Sequence, residues 1–395
     1  MRRTNRETSI MQLWPIFCVL LGVPLVTQAQ DKIRVATFNA SLNRDQAGAL
    51  TRDLSTKDNA QAQSIAAMIQ AVRPDVLLLQ EFDYDEKGKA MEAFATHYLQ
   101  VSQAGQTPID YPYRWAAPSN TGIPTGIDLD QDGRQTGPGD AQGFGRHPGQ
   151  YAFVVLSRIP FDPTEIRTFQ MLRWAQMPGA RLPEKDGRPW YSPAALAVLR
   201  LSSKNHVIVP IKARDRIIHL LAAHPTPPVF DGPEDRNGRR NADEIRLLAD
   251  LITPKKSAYI IDDTGVRGGL PADASFIVMG DLNADPKDGD SRPGAIAQLL
   301  DHPRIHPVVA NGKHTPISVG AVHTPAKKPL MGDRTRHTAQ WGLRVDYVLP
   351  SRTLKIDGSG VFWPAPDDPM APVVNGPKGG KAPTDHRLVW VDIRL

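Results

Sequence analysis

The sequence contains a single cysteine, Cys18, which lies near the start of its 395 residues. One cysteine excludes an internal disulfide framework and a zinc cluster held by several thiolates. Hydrophobic residues make up 41% and charged residues 23%, which argues against a disordered, collagenous or multi-span membrane protein. The net charge of +5 is mildly basic, so the composition permits an anionic partner without requiring one.

The N-terminus has the layout of a secretory signal. Three arginines near the start precede an apolar stretch at residues 13–26, and Thr27 and Ala29 place small residues before a cleavage site. We therefore expect residues 1–29 to be a signal peptide and residues 30–395 to form one domain that is secreted or periplasmic. An uncleaved anchor is the alternative, which the short and proline-interrupted apolar stretch disfavours. No other stretch is long and apolar enough to cross a membrane.

The remaining hydrophobic pattern predicts more strands than helices. Helical spacing occurs at residues 60–72 and 241–252. Adjacent strands favour packed sheets with outer helices over a doubly wound parallel sheet. Long irregular stretches remain at 102–149, 161–193 and 350–383, and such stretches are often functional. The predicted strands are residues 33–38, 76–79, 153–156, 195–201, 207–211, 217–223, 276–279, 345–349 and 388–393.

Unusual polar residues lie at the ends of six of these strands. Each of them alone is more often a turn former than a functional residue. Six strands ending in this way are harder to explain by turns, because strand ends on one rim of a sheet converge on a single crevice. The residues are Asn39, Glu81, His224, the pair Asp281 and Asn283, Asp346, and the pair Asp385 and His386.

These residue types indicate phosphate chemistry. Four carboxylates and two amides without cysteine form an oxygen-rich site that selects magnesium, manganese or calcium over zinc. Two histidines add groups that carry a proton near neutral pH. A hard cation, a carboxylate that activates water and a histidine that stabilises the transition state suit hydrolysis of a phosphate ester.

The motifs resemble the endonuclease/exonuclease/phosphatase superfamily, which includes DNase I, abasic-site endonucleases, sphingomyelinases and inositol phosphatases. They span nearly the whole mature chain in the family's order. The resemblance implies an α/β (α+β) fold, a DNase I-like four-layer helix–sheet–sheet–helix sandwich with two mixed sheets and the site at one edge. The motifs are Thr-Phe-Asn39, Gln-Glu81, Leu-Ser-Arg158, His224, Gly-Asp281-Leu-Asn283, Arg-Val-Asp346-Tyr-Val-Leu and Thr-Asp385-His386.

The resemblance also implies a role for each residue. Glu81 would be the main ligand of at least one Mg²⁺ or Mn²⁺ ion, with Asn39 and Asp385 completing the metal site. Asp281 would orient or deprotonate the attacking water, and Asn283 would hold the phosphate or the nucleophile. His386 would contact the scissile phosphate, and Asp346 would hold the imidazole of His386. His224 would be the second phosphate-contacting histidine and would assist the leaving group.

A phosphate-contacting tyrosine or arginine is often found in the middle of chains of this family. Tyr151 and Arg158 are the candidates here, with packing and a structural ion pair as their respective alternatives. Arg236, Arg239 and Arg240 follow His224 and would bind further substrate phosphates, since arginine suits bidentate phosphate contact. Their alternative is a solvated helix start that forms salt bridges with nearby acidic residues.

An aspartate-rich segment matches the first half of a calcium loop. The glutamate of a complete EF-hand is missing, because Gly139 occupies its position. We expect a single structural Ca²⁺ or, alternatively, a solvated cluster of Asx turns. The residues concerned are Asp128, Asp130, Asp132, Arg134 and Asp140.

The leading interpretation is a secreted, divalent-metal-dependent phosphoesterase that cuts phosphodiesters of extracellular DNA or RNA by in-line water attack. A phosphomonoesterase, or a phospholipid or inositol phosphate hydrolase of the same fold, is the close alternative, because a mature net charge of about +3 supports only a modest basic groove. A non-catalytic extracellular binding protein is the rival from another class, and the complete set of site residues argues against it. No obligate protein partner is evident from the sequence.

Overall fold

Two mixed β-sheets form the frame of the computed structural model, which describes residues 31–324, 329–376 and 380–395. The predicted signal peptide lies outside the described residues. The strands are β1 (Lys32–Leu42), β2 (Val76–Phe82), β3 (Tyr113–Ala117), β4 (Phe153–Ser157), β5 (Arg167–Thr168), β6 (Glu184–Lys185), β7 (Arg188–Pro189), β8 (His206–Ala213), β9 (Arg216–Ala223), β10 (Ser275–Asp281), β11 (Asp346–Pro350), β12 (Lys355–Phe362) and β13 (Leu388–Arg394).

Eight α-helices occur in the described residues. A π-helical turn at Ala95–Leu99 continues the third of them. The helices are α1 (Ala49–Asp53), α2 (Ala60–Val72), α3 (Lys89–Phe94), α4 (Pro193–Val198), α5 (Arg236–Leu251), α6 (Ala297–Leu300), α7 (Pro307–Ala310) and α8 (Ala371–Asn375). None of the helices in the described part has both the length and the apolar composition that crossing a bilayer requires.

The two large sheets have related connectivity. The first has the strand order β12-β13-β1-β2-β4-β3, and the second has the order β11-β10-β9-β8-β5. Each contains one parallel pair, β1 with β2 in the first sheet and β9 with β10 in the second, flanked by antiparallel neighbours. Strands β6 and β7 form a separate hairpin. The parallel pairs are important for function because parallel strands end at the same edge of a sheet.

The alternation of side chains along β8 shows how the second sheet is buried on both faces. Val207, Val209 and Ile211 belong to the core that the sheet shares with the first sheet, whereas Ile208 faces the core on the other side. Successive strand residues point to opposite faces, so the near-continuous apolar sequence of such a strand requires a covered surface on each side.

Helices cover the outer faces of the two sheets. Asn59 caps the start of helix α2, because its side chain accepts a hydrogen bond from the Ala62 amide at 2.9 Å. The helix packs Ile65 and Met68 against the apolar residues of the first sheet. Helix α5 packs Ile245 and Leu248 against the outer face of the second sheet. The layers therefore run helix, sheet, sheet, helix, which confirms the predicted fold class.

Several local predictions differ from the structure. The predicted strand at residues 195–201 is wrong, because its first half forms helix α4, where Ser192 caps the backbone and Pro193 opens the first turn. Helix α5 begins at Arg236, five residues before the predicted start. Strands β3 and β12 occupy two stretches that were predicted to be irregular, and both lie at the edges of the first sheet.

Candidate active site

Six strand ends meet at one edge of the two sheets. Asn39 and Glu81 lie near the ends of the parallel strands β1 and β2, and Asp281 ends β10. His224 directly follows β9, which is parallel to β10. Asp346 is paired with Asp281 where antiparallel β11 begins. Asp385 and His386 directly precede β13, which is antiparallel to β1. The fold therefore brings together the polar residues that the sequence places at strand ends.

The side chain of Asn39 connects the two sheets. Its Nδ2 donates to Glu81 Oε1 at 3.1 Å and to Asp281 Oδ2 at 3.1 Å. Its Oδ1 accepts the backbone N–H of Ser41 at 3.1 Å, and Asn43 Nδ2 donates to the second oxygen of Glu81 at 2.8 Å. Because Glu81 belongs to the first sheet and Asp281 to the second, one amide sets the spacing of two carboxylates across the sheet interface.

Asp281 lies between the two predicted histidines. Its Oδ2 is 3.5 Å from His224 Nε2 and 3.5 Å from His386 Nε2, and its Oδ1 accepts the backbone N–H of Asn283 at 3.0 Å. All three side chains are buried. His386 is in turn held by Asp346, whose Oδ2 is 2.9 Å from His386 Nδ1. This carboxylate–imidazole pair orients Nε2 of His386 toward the centre of the site.

The two histidines have pKa values that are shifted in opposite directions. Burial lowers the pKa of His224, and the nearby Lys204 lowers it further. Burial also acts to lower the pKa of His386, but the carboxylates of Asp346 and Asp281 outweigh burial and raise it well above its usual range. Burial would raise the pKa of Asp281, yet the two histidines hold it well below its usual range. A neutral imidazole and an imidazolium thus flank an ionised carboxylate, an arrangement suited to acid–base work.

Asp385 and Trp341 complete the rim beside His386. Asp385 Oδ1 accepts a hydrogen bond from Ser41 Oγ at 3.4 Å, which connects it to the end of β1. Thr384 Oγ1 donates to the Asn39 backbone carbonyl at 2.9 Å and strengthens the same connection. The ring of Trp341 contacts His386 edge-on, with ring centroids 5.0 Å apart, and shields one side of the imidazole from solvent.

A cavity of about 1600 Å³ opens above these residues. Tyr151 lines it, in the left-handed backbone region with φ 54°, and its backbone N–H donates to Asp83 at 3.1 Å. Burial and the charge of Glu81 raise the pKa of the Tyr151 hydroxyl, consistent with a position near that carboxylate. Asn283 also lines the cavity with a positive φ of 51°. Backbone strain of this kind is frequent at functional sites. The phosphate contact of Tyr151 stays a prediction.

The prediction that Arg158 contacts phosphate is wrong. Arg158 follows β4, and Ser157 at the end of that strand pairs with Val76 at the start of β2. It therefore lies at the edge of the sheet opposite Glu81. Its Nη1 donates to Asp75 Oδ1 at 3.0 Å, which is the structural ion pair that the sequence left as the alternative.

The three arginines after His224 have different surroundings. Arg240 is buried and donates to the backbone carbonyls of Leu201 at 2.9 Å, Arg200 at 2.8 Å and Gln142. It holds loops together and has few donors left for a substrate. Arg239 donates to the Leu182 carbonyl at 3.0 Å and is not among the residues that line the cavity, and its phosphate contact stays a prediction.

Arg236 differs from the other two because it lines the cavity and pairs there with Glu234. Its phosphate contact stays a prediction.

Three carboxylates of the aspartate-rich segment converge. Oxygen atoms of Asp128, Asp130 and Asp140 lie within 4.8 Å of one another. Asp132 instead accepts the Arg134 backbone N–H at 2.8 Å, so these two residues lie outside the group. The calcium site stays a prediction, and its candidate ligands are reduced from five residues to Asp128, Asp130 and Asp140.

Sequence reasoning missed Lys204, which lines the cavity beside His224. It lies in the loop Ser202-Ser203-Lys204-Asn205 that enters β8 at the same edge as the catalytic strand ends. The signal was present in the sequence as a polar run directly before a continuous apolar strand. Lysine is not a ligand of hard metals, so an oxygen-rich metal site gives no reason to select it.

A family model and several solved structures are similar to this chain. The model of the Endonuclease/Exonuclease/phosphatase family matches residues 36–386. An endonuclease/exonuclease/phosphatase from Beutenbergia cavernae DSM 12333 is 17% identical, with a TM-score of 0.50 over 93% of this chain and 72% of that one. Humanized TDP2 from D. rerio is 12% identical, with a TM-score of 0.48 over 93% of this chain and 100% of that one. The human Nocturnin catalytic domain is 14% identical, with a TM-score of 0.44 over 92% of this chain and 94% of that one.

No curated protein sequence matches the chain significantly. The fold and the site together define a DNase I-like phosphoesterase. The chain belongs to the Endonuclease/Exonuclease/phosphatase family, and it is a phosphoric ester hydrolase.

Proposed function

We propose that this protein is an exported, divalent-metal-dependent phosphoesterase that hydrolyses compact phosphate esters. The observation that carries the proposal is the position of Asp281, whose Oδ2 lies 3.5 Å from both His224 and His386 while Asn39 links it to Glu81. A carboxylate shared by two histidines and facing a second carboxylate is suited to activating water beside a bound cation.

The residues present fit a hard divalent cation. Glu81 is only partly buried, and both of its oxygens point toward amide groups instead of a lysine or arginine. Ser41, near the end of β1, donates its backbone N–H to the Asn39 side chain and its Oγ–H to Asp385, so one residue positions both. Carboxylate and amide oxygens are the donors that Mg²⁺ and Mn²⁺ prefer. We assign Glu81 and Asp385, with Asn39 beside them, as the residues that would hold the ion.

Asp281, Asp346 and His386 also have ligand atoms within 4.8 Å of one another. We interpret these three as an acid–base group and not as the metal site. The reason is that His386 Nδ1 already makes a hydrogen bond of 2.9 Å with Asp346, which leaves its Nε2 directed at Asp281.

When bound, the cation neutralises charge on the phosphate and favours ionised water. Asp281 accepts the proton of the attacking water, and Asn283, fixed by its backbone hydrogen bond to Asp281, holds the water or a phosphate oxygen. His386, protonated and held by Asp346, donates to a non-bridging oxygen and stabilises the charge that develops there. His224 lies on the other side of Asp281 and assists the departure of the leaving group.

The electrostatics of the cavity favour a compact ester over a long polyanion. Among the described residues that line the cavity, carboxylates outnumber lysines and arginines. Arg44 pairs with Asp53 at 2.6 Å, Arg236 pairs with Glu234, and Arg240 donates to backbone carbonyls. Binding of extended nucleic acid depends on many cations that neutralise phosphates. The predicted cleavage of extracellular DNA or RNA is therefore the second candidate.

A parallel assay tests both candidates. Purified protein is incubated with p-nitrophenyl phosphate, bis-p-nitrophenyl phosphate and supercoiled DNA in the presence of magnesium, manganese, calcium or EDTA. We expect EDTA-sensitive turnover of at least one nitrophenyl ester and slow nicking of DNA. Rapid nicking with little turnover of either ester would make the protein a nuclease. Turnover unaffected by EDTA would contradict the role of the cation.

Export rests on the N-terminal sequence alone. The arginines near the start, the apolar stretch at residues 13–26 and the small residues Thr27 and Ala29 support cleavage after residue 29. Fractionation of expressing cells, followed by N-terminal sequencing, should find a product that starts at Gln30 outside the cytoplasm. A cytoplasmic product that retains Met1 would contradict the proposal.

A further inference from the structure

Lys204 is the one lysine of the described residues that is both buried and part of the cavity wall. Its fractional exposure is 7%, and it lies beside His224 at the catalytic edge of the second sheet. Lysine is almost never this buried without a partner, because removing an ammonium group from water is strongly unfavourable. Its surroundings therefore need an explanation.

The protein provides little compensation for this charge. The Nζ atom has a single hydrogen bond, to the Pro225 carbonyl at 3.5 Å, which is the long limit for such a bond. Lys204 forms no salt bridge with any carboxylate in the described residues. The nearby Glu244 carboxylate contributes its charge but no hydrogen bond to Lys204, and it accepts instead from the backbone N–H and Oγ of Ser203 and from the backbone N–H of Thr226.

The position of Lys204 relative to the reacting groups follows from shared partners. Pro225 O, which accepts from Lys204 Nζ, also accepts from Asn283 Nδ2 at 3.2 Å, so the ammonium and the amide are neighbours. Asn283 is in turn bound through its backbone N–H to Asp281. Burial lowers the pKa of Lys204, and the carboxylates of Glu244, Glu81 and Asp281 act in the opposite direction, so Lys204 is within electrostatic reach of both catalytic carboxylates.

We propose that the Lys204 ammonium is a direct ligand of the substrate phosphate, on the His224 side of the site. The proposal rests on the proposed phosphoesterase function and deepens it. A phosphate oxygen would supply the close, charged acceptor that the protein does not, because the one hydrogen bond of the buried ammonium is the long contact with the Pro225 carbonyl. His386 and the metal ligands would then hold the phosphate from one side, and Lys204 with Asn283 would hold it from the other.

The proposal also assigns a substrate property. A lysine is a point charge with three donors and does not select a planar, bidentate partner as arginine does. Arg240 also lines the cavity, but its Nε and Nη2 donate to backbone carbonyls, whereas Lys204 Nζ has only the long contact with Pro225 O. Lys204 recognises the phosphoryl oxygens themselves, so it should contribute to the hydrolysis of monoesters and diesters alike.

The test compares Lys204→Met with Lys204→Arg and with the control Lys212→Met. Lys212 lies on the neighbouring strand β8, is exposed, and is 3.9 Å from Glu165 on the outside of the domain. Removing one such donor typically lowers turnover by about 100-fold. We expect Lys204→Met to lower kcat/KM for the nitrophenyl esters to about this extent and to weaken binding of inorganic phosphate, measured by calorimetry. Lys204→Arg should retain part of both, and Lys212→Met should match the wild type.

Two further measurements separate phosphate contact from a structural role. Thermal unfolding identifies any loss of fold, and Lys204→Gln, whose neutral side chain can be buried, replaces Lys204→Met if the latter does not fold. Lys204→Ala is assayed with ethylammonium chloride and with sodium chloride at equal ionic strength. Recovery by the amine alone supports the proposal, since only an ammonium group in the vacated space would restore the contact.

The outcomes distinguish this proposal from the proposed function. A folded Lys204→Met or Lys204→Gln variant that retains wild-type kcat/KM and wild-type phosphate binding would overturn the role of Lys204 and leave the phosphoesterase function intact. If the wild type hydrolyses no ester with any cation, the proposed function fails. In that case the phosphate titration still decides whether Lys204 binds an anion.

Discussion

His386 Nδ1 lies 2.9 Å from Asp346 Oδ2, and both side chains are buried at the edge of the two sheets. Burial alone would keep the imidazole neutral, yet the carboxylate beside it favours the imidazolium form. The pair therefore favours a positive charge on His386 near neutral pH. Its Nε2 is left free to face the phosphate and Asp281.

Asp346→Asn should move the alkaline limb of the kcat/KM profile to lower pH. The substitution removes a carboxylate that raises the pKa of His386 and leaves the burial that lowers it, so the imidazolium is lost at lower pH than in the wild type. A pH–rate profile from pH 6 to pH 10 measures the shift, with Asp357→Asn on the exposed edge strand as the control. An unchanged alkaline limb would contradict the role of His386.

Glu81→Gln should reduce turnover by about 100-fold or more without unfolding the protein. The amide keeps the shape of the side chain, but it can accept from only one of Asn39 and Asn43 and lacks the charge that holds a divalent cation. Steady-state kinetics over a range of magnesium concentrations, compared with the exposed control Glu86→Gln, measures the effect. Full activity of the variant would show that Glu81 is not a metal ligand. Intact ligand binding by a wild type that has no activity would instead support a non-catalytic binding protein.

Glu244→Ala should destabilise the fold strongly. Glu244 is fully buried and accepts hydrogen bonds from Ser203 N, Ser203 Oγ and Thr226 N at 2.6 to 2.9 Å. Its removal leaves these donors and the neighbouring cations unsatisfied, so we expect a loss of about 3–5 kcal/mol in the free energy of unfolding. Urea denaturation measures this loss, and the half-exposed Glu165→Ala should change stability by less than about 0.5 kcal/mol. Similar midpoints for the two variants would refute the prediction.

Calcium should raise the melting temperature if the aspartate-rich segment binds it. Asp128, Asp130 and Asp140 offer oxygens within 4.8 Å of one another, and a ligand that binds only the folded state stabilises it by mass action. Thermal unfolding with and without about 1 mM calcium, in the range that saturates weak extracellular calcium sites, should show a shift that Asp128→Asn abolishes. Asp132→Asn serves as the matched control, because its side chain lies outside the group. An equal shift in both variants would exclude binding at this segment.

The local pattern of the chain was sufficient to predict much of the architecture. Helix α2 has the predicted bounds, because its apolar residues recur at helical spacing and Asn59 caps its start. The central strands were also predicted, since an apolar run bounded by polar residues is a property of neighbouring residues. Edge strands β3 and β12 were missed because they are only partly buried and their sequence carries a weaker hydrophobic signal.

The sequence by itself determined which side chains the site contains, because Asn39, Glu81, Asp281 and His386 each stand at the end of an apolar strand. Only the tertiary structure decided how they are arranged. The hydrogen bond from Asn39 to Asp281 joins residues 242 positions apart, and no local pattern specifies the packing of one sheet on another.

The structure likewise decided that Arg158 lies at the far edge and Lys204 lies in the cavity. The position of a side chain beyond a strand end depends on strand direction, register and loop partners. These are set by long-range contacts and not by the residues next to it in the chain.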